Sequence, residues 1–200
     1  STSISYLLVE STSFFSCKTS GGYGGAIYFD NTNSGQSVLH EVCGYDCCTT
    51  DGSNRQFVCN FVKNDISSKN YINYSSISRC VHMDVRSWDT LLLSNGKICV
   101  QSVNISNNKC GGHSIHCYPF TDSNSDTLSF SYSSFADNSV TNRILFLLWT
   151  SGAKYEIKNC NIIRNSQVTV NSYGIITTWG NTKIEDSCIL ENNATPIFYQ

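Results

Sequence analysis

Charge is scarce in this chain. Only 14% of its 200 residues are Asp, Glu, Lys or Arg, where about a quarter is usual, and the formal net charge is −2. Neutralising phosphates takes clustered Lys and Arg, so nucleic acid is excluded as a partner. Long apolar runs are missing as well. The longest, 144–149, has six residues, against the roughly 18 that a membrane-spanning helix needs. No membrane span is therefore expected within the chain. The front carries neither an initiator Met nor the charged and apolar regions of a secretory leader. The chain opens and closes inside a repeat. It reads as one domain over 1–200, a fragment or processed form open at both ends, whose natural neighbours are flanking coils of the same polypeptide. Proline occurs only twice. Low charge together with β-branched and aromatic residues describes a β-rich folded chain, because a disordered one would carry more charge and fewer rings.

What the chain has in plenty is repetition. A nine-residue phrase recurs at 9–17, 39–47, 72–80, 100–108, 130–138, 157–165 and 184–192, its last residues 30, 33, 28, 30, 27 and 27 positions apart. The first position is apolar in every copy: Val9, Leu39, Ile72, Val100, Phe130, Ile157, Ile184. The sixth is apolar in all but one: Phe14, Gly44, Ile77, Ile105, Phe135, Ile162, Ile189. The fourth is small: Thr12, Val42, Ser75, Val103, Ser133, Cys160, Ser187. Positions four and six share the parity of one strand face, whereas position one has the other parity. A bend is therefore expected between positions one and four.

A second strand is predicted after each phrase, at 24–29, 56–61, 90–93, 114–118, 143–148, 173–178 and 196–199, with polar turns such as 30–35 and 121–126 between units. There is room for a third short strand in each coil. Such strands can satisfy their backbone groups only against the next coil, at a spacing of about 4.8 Å. The expected architecture is an all-β solenoid, a parallel β-helix of about seven coils of 27–33 residues, roughly 30 Å long. An antiparallel sandwich would instead turn every 8 to 12 residues or so, without a matching phrase at each thirty.

The ninth position holds Cys17, Cys47, Cys80, Asn108, Asn138, Asn165 and Asn192. Stacking puts these seven in one column, where Asn amides can pass hydrogen bonds from coil to coil as a structural ladder. Disulfides within the column are disfavoured. Parallel side chains keep β-carbons about 4.8 Å apart, beyond the usual range of roughly 3.5–4.5 Å. Free thiols replacing Asn in the ladder are expected, and the odd count of 11 cysteines fits at least one free thiol.

Gly-Gly-Ala-Ile (24–27), following Phe14, together with Phe-x-x-Asn at 61–64 and 135–138, resembles the polymorphic membrane protein type of surface protein, known from chlamydiae and from large trichomonad families. The resemblance runs loosely over the whole chain, although Gly-Gly-Ala-Ile occurs intact once. It implies a right-handed parallel β-helix displayed at the surface of a parasite cell and engaged in adhesion. The partner it implies is a host cell-surface protein or glycan.

Parallel β-helices also carry polysaccharide lyases and hydrolases, which need carboxylates converging on one face. Here the acids are scattered; Asp137 and Asp186 fall at phrase positions eight and three. The expectation is no catalytic residue, no cofactor and no enzyme, with a β-helical polysaccharide enzyme or its inactive descendant as the alternative. Cys110, His113, His116 and Cys117 form the one metal-like cluster, but strand parity points 113 and 116, and 116 and 117, to opposite faces. These are read as surface histidines beside structural cysteines, with no metal. Cys43, Cys47 and Cys48 lack a Cys-x-x-Cys spacing, which argues against redox catalysis.

Three glycosylation sequons occur, at Asn73, Asn104 and Asn193, no more than so Asn-rich a composition yields by chance. Their positions are expected to face outward. The strip 143–149 is read as half buried by alternation. Binding and mere spacing are separable by one feature: whether Tyr118, Tyr132, Trp149 and Trp179 gather on one side.

Overall fold

A computed structural model describes residues 4–50, 56–80, 88–122, 124–141, 146–169 and 173–200. The first part of the predicted strand at 143–148, and one residue of the turn at 121–126, fall outside these. Among the described residues all regular elements are strands, with parallel pairing throughout the long sheets. The chain is an all-β parallel β-solenoid. Three sheets each collect one strand from seven successive rungs, about six turns from first to last and close to the seven coils expected.

The first face runs from Ser5–Glu10 to Asn181–Glu185, the second from Ser13–Phe15 to Cys188–Leu190, and the third from Ile27–Asp30 to Phe198–Tyr199. Short pieces such as Lys109–Cys110, Ser139–Val140 and Ser166–Gln167 supply the extra strand for which the sequence left room. The register is that of the phrase. Val9 pairs with Leu39, Leu39 with Ile72, and so on to Ile157 with Ile184. The sixth positions pair likewise, from Phe14 with Gly44 to Ile162 with Ile189.

The exception at Gly44 has a packing reason. A Cβ there would collide with the ring of Phe57, which is fully buried and fills the space that an apolar side chain would otherwise take. In the fifth rung one Phe from each face meets at the axis. Phe130, Phe135 and Phe146 lie edge to face with centroids 4.7–5.7 Å apart, an arrangement aromatic quadrupoles favour.

The expected bend sits at position three, and a second one at position eight. Ser11, Glu41, Tyr74, Ser102, Tyr132, Asn159 and Asp186 at the first bend, and Ser16, Asp46, Arg79, Asn107, Asp137, Arg164 and Glu191 at the second, all have φ between 46° and 57°. A left-handed conformation costs a residue other than Gly about 1 kcal/mol or more. Seven-fold repetition at both corners means that the cost is offset by the hydrogen bonds and packing of the residues just past each bend.

Past the first bend lies the fourth position, where hydroxyls do more than leave room. The backbone N–H groups of Val42, Val103 and Cys160 donate to the Oγ atoms of Ser75, Ser133 and Ser187 one rung on, at 3.0, 3.1 and 3.1 Å. Each of those serines in turn donates to the carbonyl two residues before it.

Candidate functional site

Past the second bend lies the ninth position. Asn138 Oδ1 accepts from both the backbone N–H and the Nδ2 of Asn108, each at 3.1 Å, while Asn138 Nδ2 donates to the Ile105 carbonyl at 2.8 Å. Asn165 and Asn192 repeat the pattern one rung later. Asn108 Oδ1 accepts from the Cys80 backbone N–H at 2.9 Å, so the amide chain ends on the cysteines. Cys47 keeps part of it: its thiol faces the Phe14 carbonyl at 3.5 Å, the same carbonyl column that the Asn amides use. The hydrogen bond with the neighbouring Cys47 thiol, reinforced by burial, holds Cys80 above the usual thiol range. None of the 11 cysteines forms a disulfide. With their polar atoms consumed inside the stack, Asn108, Asn138 and Asn165 are too buried to meet a ligand.

Three of the four aromatic residues singled out in the sequence share one column. The third-face register, carried one residue past Cys117–Leu148–Thr178, aligns Tyr118, Trp149 and Trp179. Trp149 stacks on Trp179 at 4.4 Å, close to the rung spacing, and both are exposed (49% and 38%). Their backbone N–H groups bond to Cys117 and Leu148 of the preceding rungs. Tyr173 and Tyr199, also exposed, extend the group, with Tyr173 centred 6.4 Å from Trp179 and 5.4 Å from Tyr199. Tyr118 is half-buried and turns its ring onto His116 at 4.3 Å. Tyr132 stands elsewhere: with Tyr74 it walls a groove of about 410 Å³ along the second face, floored by Ser102 and Asn104. The phrase alone, which steps by 27 between these rungs, does not give this alignment; the strands predicted at 143–148 and 173–178, 30 residues apart, place Trp149 and Trp179 alike just past their ends.

The histidine reading needs correction. His113 and His116 are not on the surface; they are 2% and 6% exposed, and both converge on Asp89, which is fully buried. His113 Nδ1 lies 2.8 Å from Asp89 Oδ1, and His116 Nδ1 lies 3.3 Å from Oδ2. The His113 backbone N–H also points at Oδ1, at 3.3 Å. Parity failed because His113 precedes the strand Ile115–Tyr118, in a bend where alternation does not apply. Gly112 permits the approach, since a Cβ there would strike the Trp88 backbone carbonyl. Cys110 and Cys117 are buried core residues, and neither belongs to this group. Burial alone would push the Asp89 carboxyl up. The hydrogen bonds and charges of His113 and His116 outweigh it and hold it below the ordinary carboxylate range. Burial, reinforced by the Asp89 charge, pushes the Cys110 thiol up to about 12.

Several of the other acids form ion pairs on the surface. Asp137 forms a two-pronged pair with Arg164 at 2.8 and 2.9 Å, and Glu185 lies 2.8 and 3.6 Å from Lys183 and Lys158. Of the sequons, Asn104 and Asn193 are exposed; Asn73 is half-buried with its Oδ1 shielded, less outward than expected. Among the described residues no helix is long and apolar enough to cross a membrane. Comparison of the chain with protein-family models, with curated proteins and with solved structures finds no significant match.

Proposed function

We propose that this chain is a non-enzymatic display and adhesion module, carried at a cell surface, that binds a host cell-surface protein or glycan through the aromatic column of its third face. The observation that carries the reading is the stack of Trp149 on Trp179, with Tyr173 and Tyr199 beside it, all solvent-exposed on three successive rungs. Rings of this kind present apolar faces and polar edges at small entropic cost, which is why Trp and Tyr dominate contact energies. Backbone bonds to the neighbouring rungs fix the platform before a partner arrives, which lowers the ordering cost of binding. The resemblance to polymorphic membrane proteins agrees with display and adhesion at a surface.

The test is a Trp149→Ala/Trp179→Ala double variant, with its fold checked by circular dichroism, in two assays. One is adhesion to host cells with and without enzymatic removal of their glycans; the other is a glycan array. The wild-type chain is expected to bind saturably, and the double variant at least about tenfold more weakly. Glycan removal separates the two partner classes. Equal binding by both proteins, or depolymerisation of a polysaccharide by the wild type, would contradict the proposal.

A further inference from the structure

We infer that Asp89, His113 and His116 form a binding site for one divalent transition-metal ion of the zinc, cobalt, nickel and copper class. The three ligand atoms lie within 4.8 Å of one another on buried side chains. His113 Nδ1 lies 2.8 Å from Asp89 Oδ1 and His116 Nδ1 3.3 Å from Oδ2, spacings that match the edges of a coordination shell with bonds of roughly 2.0–2.1 Å in which the carboxylate offers either or both of its oxygens. Two imidazole nitrogens and one carboxylate oxygen suit borderline ions; calcium and magnesium would ask for oxygens. Asp89 is the only Asp, Glu, Lys or Arg among the described residues that is fully buried. Burying a carboxylate is costly; the two histidines already hydrogen-bond this one, and a cation held among the three would balance its charge as well.

The shell is built by the fold. Asp89 and His113 occupy equivalent corners of adjacent rungs, fixed by the bonds from Thr90 N–H to the His113 carbonyl and from Leu91 N–H to that of Ser114. His116 lies on the outward side of the next strand, braced by the ring of Tyr118. Without an ion, both imidazoles turn Nδ1 toward the carboxylate as hydrogen-bonding groups. To bind one, each must present its Nδ1 lone pair and carry its proton on Nε2, a tautomer change that needs no redox partner. Three protein ligands leave a further position for water or an external donor. This site does not depend on the aromatic column being an adhesion surface.

The 11 cysteines, none of them in a disulfide, offer sulfur that also binds such ions, so the experiment must tell nitrogen from sulfur. Chelator-treated full chain would be titrated with Co²⁺ and with Cu²⁺, together with His116→Gln, His113→Gln and, as a control, His40→Gln. One ion per chain is expected, with a rise in melting temperature, Cu²⁺ resonance showing two coordinated nitrogens, and no sulfur-to-metal charge-transfer band. Affinity should fall roughly a hundredfold or more in the two ligand variants and stay unchanged in His40→Gln. The nitrogen count on the wild type keeps the inference testable should a variant fail to fold. No saturable binding, a thiolate band, or unchanged affinity in His116→Gln would overturn it.

Discussion

The ninth-position column is built in two chemistries. In rungs four to seven it is Asn108, Asn138, Asn165 and Asn192; in rungs one to three it is Cys17, Cys47 and Cys80. Each interior Asn closes two hydrogen bonds through its oxygen and two through its nitrogen. Cys47 offers its thiol to the Phe14 carbonyl at 3.5 Å and to its own Tyr45 carbonyl at 3.4 Å, both weak contacts. The backbone makes the same left-handed turn in both halves, at Ser16, Asp46 and Arg79 as at Asn107, Asp137 and Arg164. The difference shows that stacking and core burial suffice to impose the bend, while the amides add strength and register to one half.

The largest expected effect comes from breaking the amide half. Asn138→Ala takes the acceptor from the Asn108 N–H, one of two acceptors from Asn108 Nδ2 (which keeps the Ile77 carbonyl), and the amide donor from the Ile105 carbonyl, and should cost about 2 kcal/mol by urea denaturation. A cost under about 1 kcal/mol would place the stability elsewhere.

Extending the amides into the thiol half should work the other way. Cys80→Asn adds a rung next to Asn108 and is expected to gain about 1 kcal/mol. It should also flatten the alkaline limb of stability. Because the folded chain holds the Cys80 proton more tightly than the unfolded chain does, its contribution is whole below the ordinary thiol value of 9.0 and is lost as pH rises above it. Cys110, raised to about 12, adds a loss of the same sign between those two values. Urea midpoints from neutral pH to pH 10 or so would read both, and an unchanged slope in Cys80→Asn would remove the thiol argument.

The smallest effect concerns the surface beside the ladder. Arg164→Ala breaks an exposed ion pair with Asp137 and should lower the urea midpoint only slightly, an effect that fades as salt is added.

Much of the fold is legible in the sequence, and the illegible parts have physical causes. Columns such as Leu39–Ile72 and Asn138–Asn165 repeat one residue type at one spacing, so their register can be counted off directly. The two left-handed corners cannot. They are occupied by Glu41, Tyr74 and Arg164 as readily as by Asn, because the conformation is imposed by the stack and not chosen by the residue. The Ser75 and Ser133 bonds to the preceding rung are, in the sequence, visible only as small volume. The Asp89 group escapes for another reason. Its members come from two rungs, 24 and 27 residues apart, and strand parity misplaces His113, which lies outside any strand.

The central claim is that the Asn column is a closed structural ladder, and side-chain amide exchange tests it most directly. In spectra of the labelled chain, the Nδ2 protons of Asn108, Asn138 and Asn165 should exchange with solvent at least about a hundredfold more slowly than those of Asn124 in an exposed turn. Exchange at the rate of Asn124 would mean that these amides face water, and the ladder account would be wrong.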